Sequence, residues 1–166
     1  WTPSPFFNNR LVSLGYKNML DVNVDYLCFY HEQERETNNA WMTVQLALDK
    51  CDLLIGHNIK FDLMWLRECG WAYNGKIYDT MIGEYILAGS RRWPLSLAAL
   101  AEKYEVGSKK KDLVQPYLDD GITFDKIPYN IVEEYGKEDV LVTERIALKQ
   151  AEAFGTTLER MYNERT

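Results

Sequence analysis

Apolar positions along this chain fall into short unbroken runs and helix-spaced stripes that follow one another in turn. After a loop over residues 1 to 9, Arg10 to Tyr16 and Tyr26 to Tyr30 read as two strands of a hairpin, joined through a turn region rich in Asn and Asp. The polar loop "HEQERETNN" leads to Ala40–Leu48, where Trp41, Val44 and Leu48 have helical spacing. "CDLLIG" predicts a strand buried on both faces, and a helix follows at once and ends near Gly70. "GKIYDT" predicts another strand and Met81 to Leu87 another helix, with Asp79 best read as its N-cap. In "RRWPLSLAALAEKYEVG", Leu97, Leu100, Ala101 and Tyr104 share a helix face and Gly107 is a stop. "SKKKDLVQPYLDDGITFDKIP" reads as irregular. A last helix runs from about Ile131 to Ala153, capped by Asn130 with Glu133 in capping-box position. Strands alternate with helices, the α/β signature, and no linker divides residues 1 to 166 into more than one domain.

Two stripes carry the same anomaly. Ile59, Asp62, Leu63 and Leu66 occupy one face of the first long helix. Val132, Tyr135, Asp139, Val142 and Ile146 occupy one face of the last. A carboxylate in an apolar stripe is costly unless something positive meets it. Convergence of Asp62 and Asp139 on divalent cations accounts for both, since carboxylate oxygens are the hard ligands that Mg²⁺ and Mn²⁺ take. Asp62 also follows a strand by one turn, the position that faces the ligand crevice in open α/β sheets.

Composition narrows the setting. The chain has 46% hydrophobic residues and a net charge of −6, which argues for a packed core and against a broad basic face for nucleic acid. No run approaches the roughly 18 apolar residues of a membrane span. Cys28, Cys51 and Cys69 lack CxxC spacing, and with only His31 and His57 beside them they make no zinc pattern; a reduced, cytoplasmic setting is expected. His57 reads as a structural histidine, and Trp41, Trp65 and Trp71 as core. "SRRW" (90–93) and "KKK" (109–111) are the compact basic clusters, candidates for phosphate contact with Trp93 available for base stacking.

The motifs carry a resemblance. "NIKFD", in which Asn58 precedes Phe61 and Asp62, resembles the second motif of the DEDD superfamily of 3′–5′ exonucleases. "YGKED", with Tyr135 one turn before Asp139, resembles the third motif of its tyrosine subgroup. "YDTMIGEYIL" and "LSLAALAEKY" are similar to segments of family A DNA polymerase proofreading domains and ribonuclease D, and "DDGITFDKIP" with "EEYGKEDV" looks most like bacteriophage replication exonucleases. The resemblance covers about residues 50 to 150 in the right order.

It implies a ribonuclease H-like mixed sheet with flanking helices and removal of mononucleotides from single-stranded DNA 3′ ends in proofreading. Two divalent cations, Mg²⁺ or Mn²⁺, are implied as cofactors, and a polymerase domain or replication protein as a partner. By the resemblance Asp62 and Asp139 bind metal, Tyr135 orients the attacking water, Asn58 contacts the terminal nucleotide and Phe61 shapes the pocket. An RNA-trimming enzyme resembling ribonuclease D and a degenerate, non-catalytic binding domain are the alternatives. The family's Asp-x-Glu, on a central first strand, has no counterpart within residues 1 to 50. The chain begins Trp-Thr-Pro, so that strand is expected upstream of Trp1 and missing here. "RLVSLGY" and "DLLIG" are then expected to flank a gap or to pair directly, and the isolated chain to be weakly active or inactive.

Overall fold

Two pairs of short strands are tied together by one long helix. A computed structural model of the chain describes residues 4–89, 91–107 and 113–163. β1 (Ser13–Tyr16) and β2 (Asp25–Cys28) pair antiparallel, with Ser13 opposite Cys28 and Tyr16 opposite Asp25. After α1 (Ala40–Asp49), β3 (Leu53–Gly56) runs into α2 (Ile59–Glu68), which crosses over to β4 (Lys76–Asp79). β3 and β4 are parallel, with Leu53 opposite Lys76 and Gly56 opposite Asp79; a parallel pair needs such a crossover. α3 (Thr80–Ala88), α4 (Leu97–Lys103), α5 (Gln115–Asp119), α6 (Tyr129–Ala153) and α7 (Leu158–Asn163) complete the order. None of the helices is long and apolar enough to cross a membrane among the described residues.

The two strand pairs form separate two-stranded sheets. Each residue of β3 is half-buried. Its all-apolar run was expected to be covered on both faces, but β3 has a ladder with β4 on one edge and, among the described residues, none on the other. Of the two arrangements expected for "RLVSLGY" and "DLLIG", direct pairing does not occur. α6 spans the two sheets instead, packing on β1, β2, β3, α3, α4 and α7. Its 25 residues extend about 38 Å at 1.5 Å each. Val132, Val142, Ile146, Ala147 and Ala151 line its buried side. The hairpin is fastened to it by the Tyr26 hydroxyl, which donates to Val132 O at 3.1 Å, and by the Lys17–Glu144 ion pair at 2.6 Å.

Three local expectations change. α6 starts at Tyr129 with Pro128 at the N-cap, so Asn130 lies inside the first turn and caps nothing; the fixed proline φ, −47°, sets the start. The segment read as irregular contains α5, with Pro116 in its first turn, where a missing N–H costs nothing. Trp71 is buried as expected, but Trp41 is 43% exposed and Trp65 half-buried. Trp41 lies over the core as a lid, stacked on Trp71 at 4.8 Å, with its carbonyl accepting from the Trp71 indole at 2.8 Å.

Glu84, fully buried on α3, is the polar centre of the helical side. It pairs with Lys103, accepts from the Tyr104 hydroxyl at 2.6 Å and accepts from Gln150 Nε2 at 3.2 Å. Burial alone would raise its pKa, but these partners hold it below the ordinary value. Stability from Glu84 is therefore present above the ordinary glutamate range and lost as pH falls through the lowered value. Glu84→Ala is expected to cost about 3 kcal/mol, because it strands Lys103, Tyr104 and Gln150 together; urea unfolding at pH 7 measures it.

Candidate active site

The register of the parallel pair sets its two strand-to-helix turns side by side, Gly56 opposite Asp79. Asp79 caps α3 as an Asp after a short strand should: its Oδ1 accepts from the Met81 amide at 2.9 Å. The same carboxylate also reaches the start of α2. Oδ1 accepts from the Asn58 amide at 2.9 Å and Oδ2 from the Ile59 amide at 3.1 Å. One buried anion thus serves two helix N-termini, where the peptide dipoles favour negative charge. Asn58 allows this by taking left-handed φ 53° and ψ 45°, a region that Asn tolerates, while its own side chain makes no cap and stays exposed.

His57 Nδ1 donates to Thr80 Oγ1 at 2.9 Å, and that hydroxyl donates on to Gly56 O at 3.3 Å. Burial lowers the His57 pKa against the opposing pull of the Asp79 charge and the Leu95 backbone, so it is neutral at pH 7 and structural, as expected.

Asp62 stands one turn into α2, next to half-buried Phe61. Its surface is open to solvent, yet desolvation by the surrounding protein pushes its pKa up to about 6. A hydrogen bond from its own backbone amide acts the other way, and the nearby charge of Asp79 adds to the rise. The floor of an open crevice gives this combination, reachable by water but short of hydration. Among the described residues no cation pairs with it. On α6, Tyr135 hydrogen-bonds Asp139. Burial first, then the Asp139 charge and that bond, lift the Tyr135 pKa to about 12, so the phenol keeps its proton at neutral pH. Tyr135 packs beside Phe124 at 6.2 Å.

The structure therefore joins Tyr135 to Asp139 and sets Asn58, Phe61 and Asp62 around the Asp79 turn. Asp62 and Asp139 are hard oxygen donors and fit Mg²⁺ or Mn²⁺ in kind. They do not complete a cage: among the described residues no three of His, Cys, Asp and Glu converge so as to hold a metal ion. Of the basic clusters, Ser90 and residues 109–111 lie outside the described residues. Arg91, Arg92 and Trp93 line a cavity of about 340 Å³ with Tyr85 and Leu95.

A family model described as 3′–5′ exonuclease matches residues 45–151. The chain belongs to that 3′–5′ exonuclease family. The matched span contains the strand-to-helix turns, Asp62, Tyr135 and Asp139, and it supports a nuclease acting on nucleic acid. No curated protein and no solved structure matches the chain.

Two residues of this exonuclease escaped the sequence reading. The reach of Asp79 to α2 depends on strand register, which a lone N-cap signal does not carry. Gly136 follows Tyr135, and a Cβ there would lie 2.5 Å from Tyr26 Cε2 and 2.6 Å from its hydroxyl. Its bare backbone lets the hairpin lie against the Tyr135–Asp139 turn.

Asp62 predicts a pH signature. Its raised pKa means the folded state binds the extra proton between about pH 4 and 6, so its contribution falls as pH rises through that window. Asp62→Asn should raise the melting temperature at pH 7.5 and leave it nearly unchanged at pH 3.5, in chelator. Asp79→Ala strips acceptors from three amides; a loss of about 2–3 kcal/mol is expected by urea unfolding, with α2 amides exchanging faster in hydrogen exchange.

Proposed function

We propose that the chain is a metal-dependent 3′–5′ exonuclease of the tyrosine subgroup, removing mononucleotides from single-stranded DNA 3′ ends. Proofreading in phage-type replication, in the cytoplasm of a bacterial or infected cell beside a polymerase domain or replication protein, is the role that fits. The observation that carries this reading is Asp62, a crowded carboxylate with a raised pKa and no cation partner among the described residues.

Asp62 and Asp139 are the residues that would hold two divalent cations, Mg²⁺ or Mn²⁺. Such ions supply an activated water and charge stabilisation at the leaving 3′ oxygen. The protonated Tyr135 hydroxyl fixes the Asp139 carboxylate and is placed to orient a water or phosphate oxygen by hydrogen bonding. Asn58, exposed at the α2 N-terminus, presents its carboxamide to the terminal nucleotide. Phe61 packs at the same turn and bounds the pocket. Arg91 and Arg92 offer charge to backbone phosphates, and Trp93 and Tyr85 offer faces for stacking bases.

The missing donors have a natural place. β1 and β3 both pack on α6 without a ladder between them. A further strand bearing Asp-x-Glu, set between them, would give the order β2-β1-strand-β3-β4 of a ribonuclease H-like sheet and bring two more carboxylates to the crevice. The absence of a three-ligand cluster among the described residues is the observation that favours the rival, a non-catalytic binding domain.

A 3′-labelled single-stranded DNA or RNA, with Mg²⁺ or Mn²⁺, tests the reading on the chain alone and on the chain extended by such a strand. The extended protein should shorten DNA from its 3′ end. Asp62→Ala or Asp139→Ala should lower the rate by about 10²–10³-fold or more, and Tyr135→Phe by about 10–100-fold. Equal rates for all variants would remove these residues from the mechanism. Preference for RNA would favour the ribonuclease D-like alternative, and inactivity of the extended protein the non-catalytic one.

A further inference from the structure

On the flank of α2 away from Asp62 lies an open apolar groove of about 560 Å³. Leu63 and Met64 of α2, Ile77 of β4, Ile82 and Ile86 of α3 and Phe154 line it. Asp62 is not among its lining residues; at about 100° per residue it projects from the other side of α2. Ile82 and Ile86, one turn apart on α3, are 55% and 61% exposed, and Ile77 is 47% exposed. Exposed apolar residues are ordinary singly, but three around one concavity mark a surface built to be covered.

Its charged edge says what covers it. Lys60 and Arg67 also line the groove, seven residues apart on α2 and so about 10 Å along its axis. Among the described residues neither has an ion-pair partner, although the chain carries 25 acidic and 19 basic residues. Lys17, Lys103 and Lys137 each meet a carboxylate. An isologous second copy would bring the same two cations to the contact and repel. A nucleic acid would answer the charge but leave the isoleucines unmatched.

We propose that this groove docks an amphipathic helix of a partner protein, with its apolar face between α2 and α3 and two acidic residues, seven apart, on Lys60 and Arg67. The apolar face fills the concavity with side chains at i, i+4 and i+7, the usual way a helix is read by a groove. The cations fix direction and register, and screen out basic helices.

The test uses a fluorescein-labelled amphipathic peptide with Leu at i, i+4 and i+7 and two Glu seven apart, titrated with the full chain by anisotropy. Saturable binding is expected, and it should weaken at least about tenfold when the glutamates become lysines, a difference of about 1.4 kcal/mol. The Lys60→Glu/Arg67→Glu double variant should invert the preference. Ile86→Ser should weaken binding of the acidic peptide, with circular dichroism showing that each variant melts as the parent does. No saturation, or equal affinity for acidic and basic peptides, overturns the proposal. So does self-association in sedimentation velocity that Ile86→Ser abolishes, which gives the groove to a second copy. None of these readouts depends on nuclease activity, so failure here leaves the catalytic reading untouched.

Discussion

The carboxylate of Asp79 holds two strand-to-helix turns together, and the geometry of the crevice follows from it. β3 and β4 share a ladder of four residue pairs, and β3 is open along its other edge. So short a pairing does not by itself aim the helices that leave it. Asp79 does so by accepting from Asn58, Ile59 and Met81 at once, which ties the first turns of α2 and α3 to one buried point. Asp62 is four residues from Asn58, so its position is inherited from that point. The same anion also raises the Asp62 pKa, so the residue that aims the crevice adds to its negative potential.

The second constraint is α6, which does for this chain what a continuous sheet does elsewhere. The hairpin and the parallel pair share no ladder, and each leans on a different stretch of the helix. Near its start, Val132 O takes the Tyr26 hydroxyl and Gly136 gives the Tyr26 ring room. Near its end, Gln150 Nε2 donates to Thr80 O at 2.9 Å, while Gln150 Oε1 accepts from the Tyr78 hydroxyl at 3.0 Å. Tyr135 and Asp139 lie between these anchors and are held from both sides. A fully buried glutamine is tolerated because both ends of its amide are satisfied.

What the sequence made legible was whatever depends on local pattern. The strand–helix alternation, the stripes containing Asp62 and Asp139, the Asp79 cap and the structural role of His57 all follow from neighbours within a few residues. What it hid depends on partners distant along the chain. Asn58 and Glu133 make a plausible cap and capping-box residue by type, yet the α2 amides are served by Asp79 and the α6 start is set by Pro128. The apolar run of β3 signals burial on both faces, but burial needs a neighbour on each edge. Trp41 has core spacing on α1 and still ends at the surface, because stacking on Trp71 satisfies only one of its faces.

The two candidate carboxylates are held in different states, and this bears on how a polyanion could approach. Asp139 has a proton donor fixed to it, since Tyr135 keeps its phenol protonated far above neutral pH. Asp62 faces another anion and no described cation, so its ionisation near pH 7 is opposed by desolvation and by Asp79. A chain of net charge −6 that adds such a group to an open crevice repels phosphate unless positive charge arrives with it. Divalent ions relieve that repulsion and the desolvation of Asp62 together, so on the proposed reading cation and nucleic acid bind with positive coupling. A non-catalytic domain would gain nothing from leaving Asp62 unpaired: an asparagine in its place would spare the cost and keep the helix.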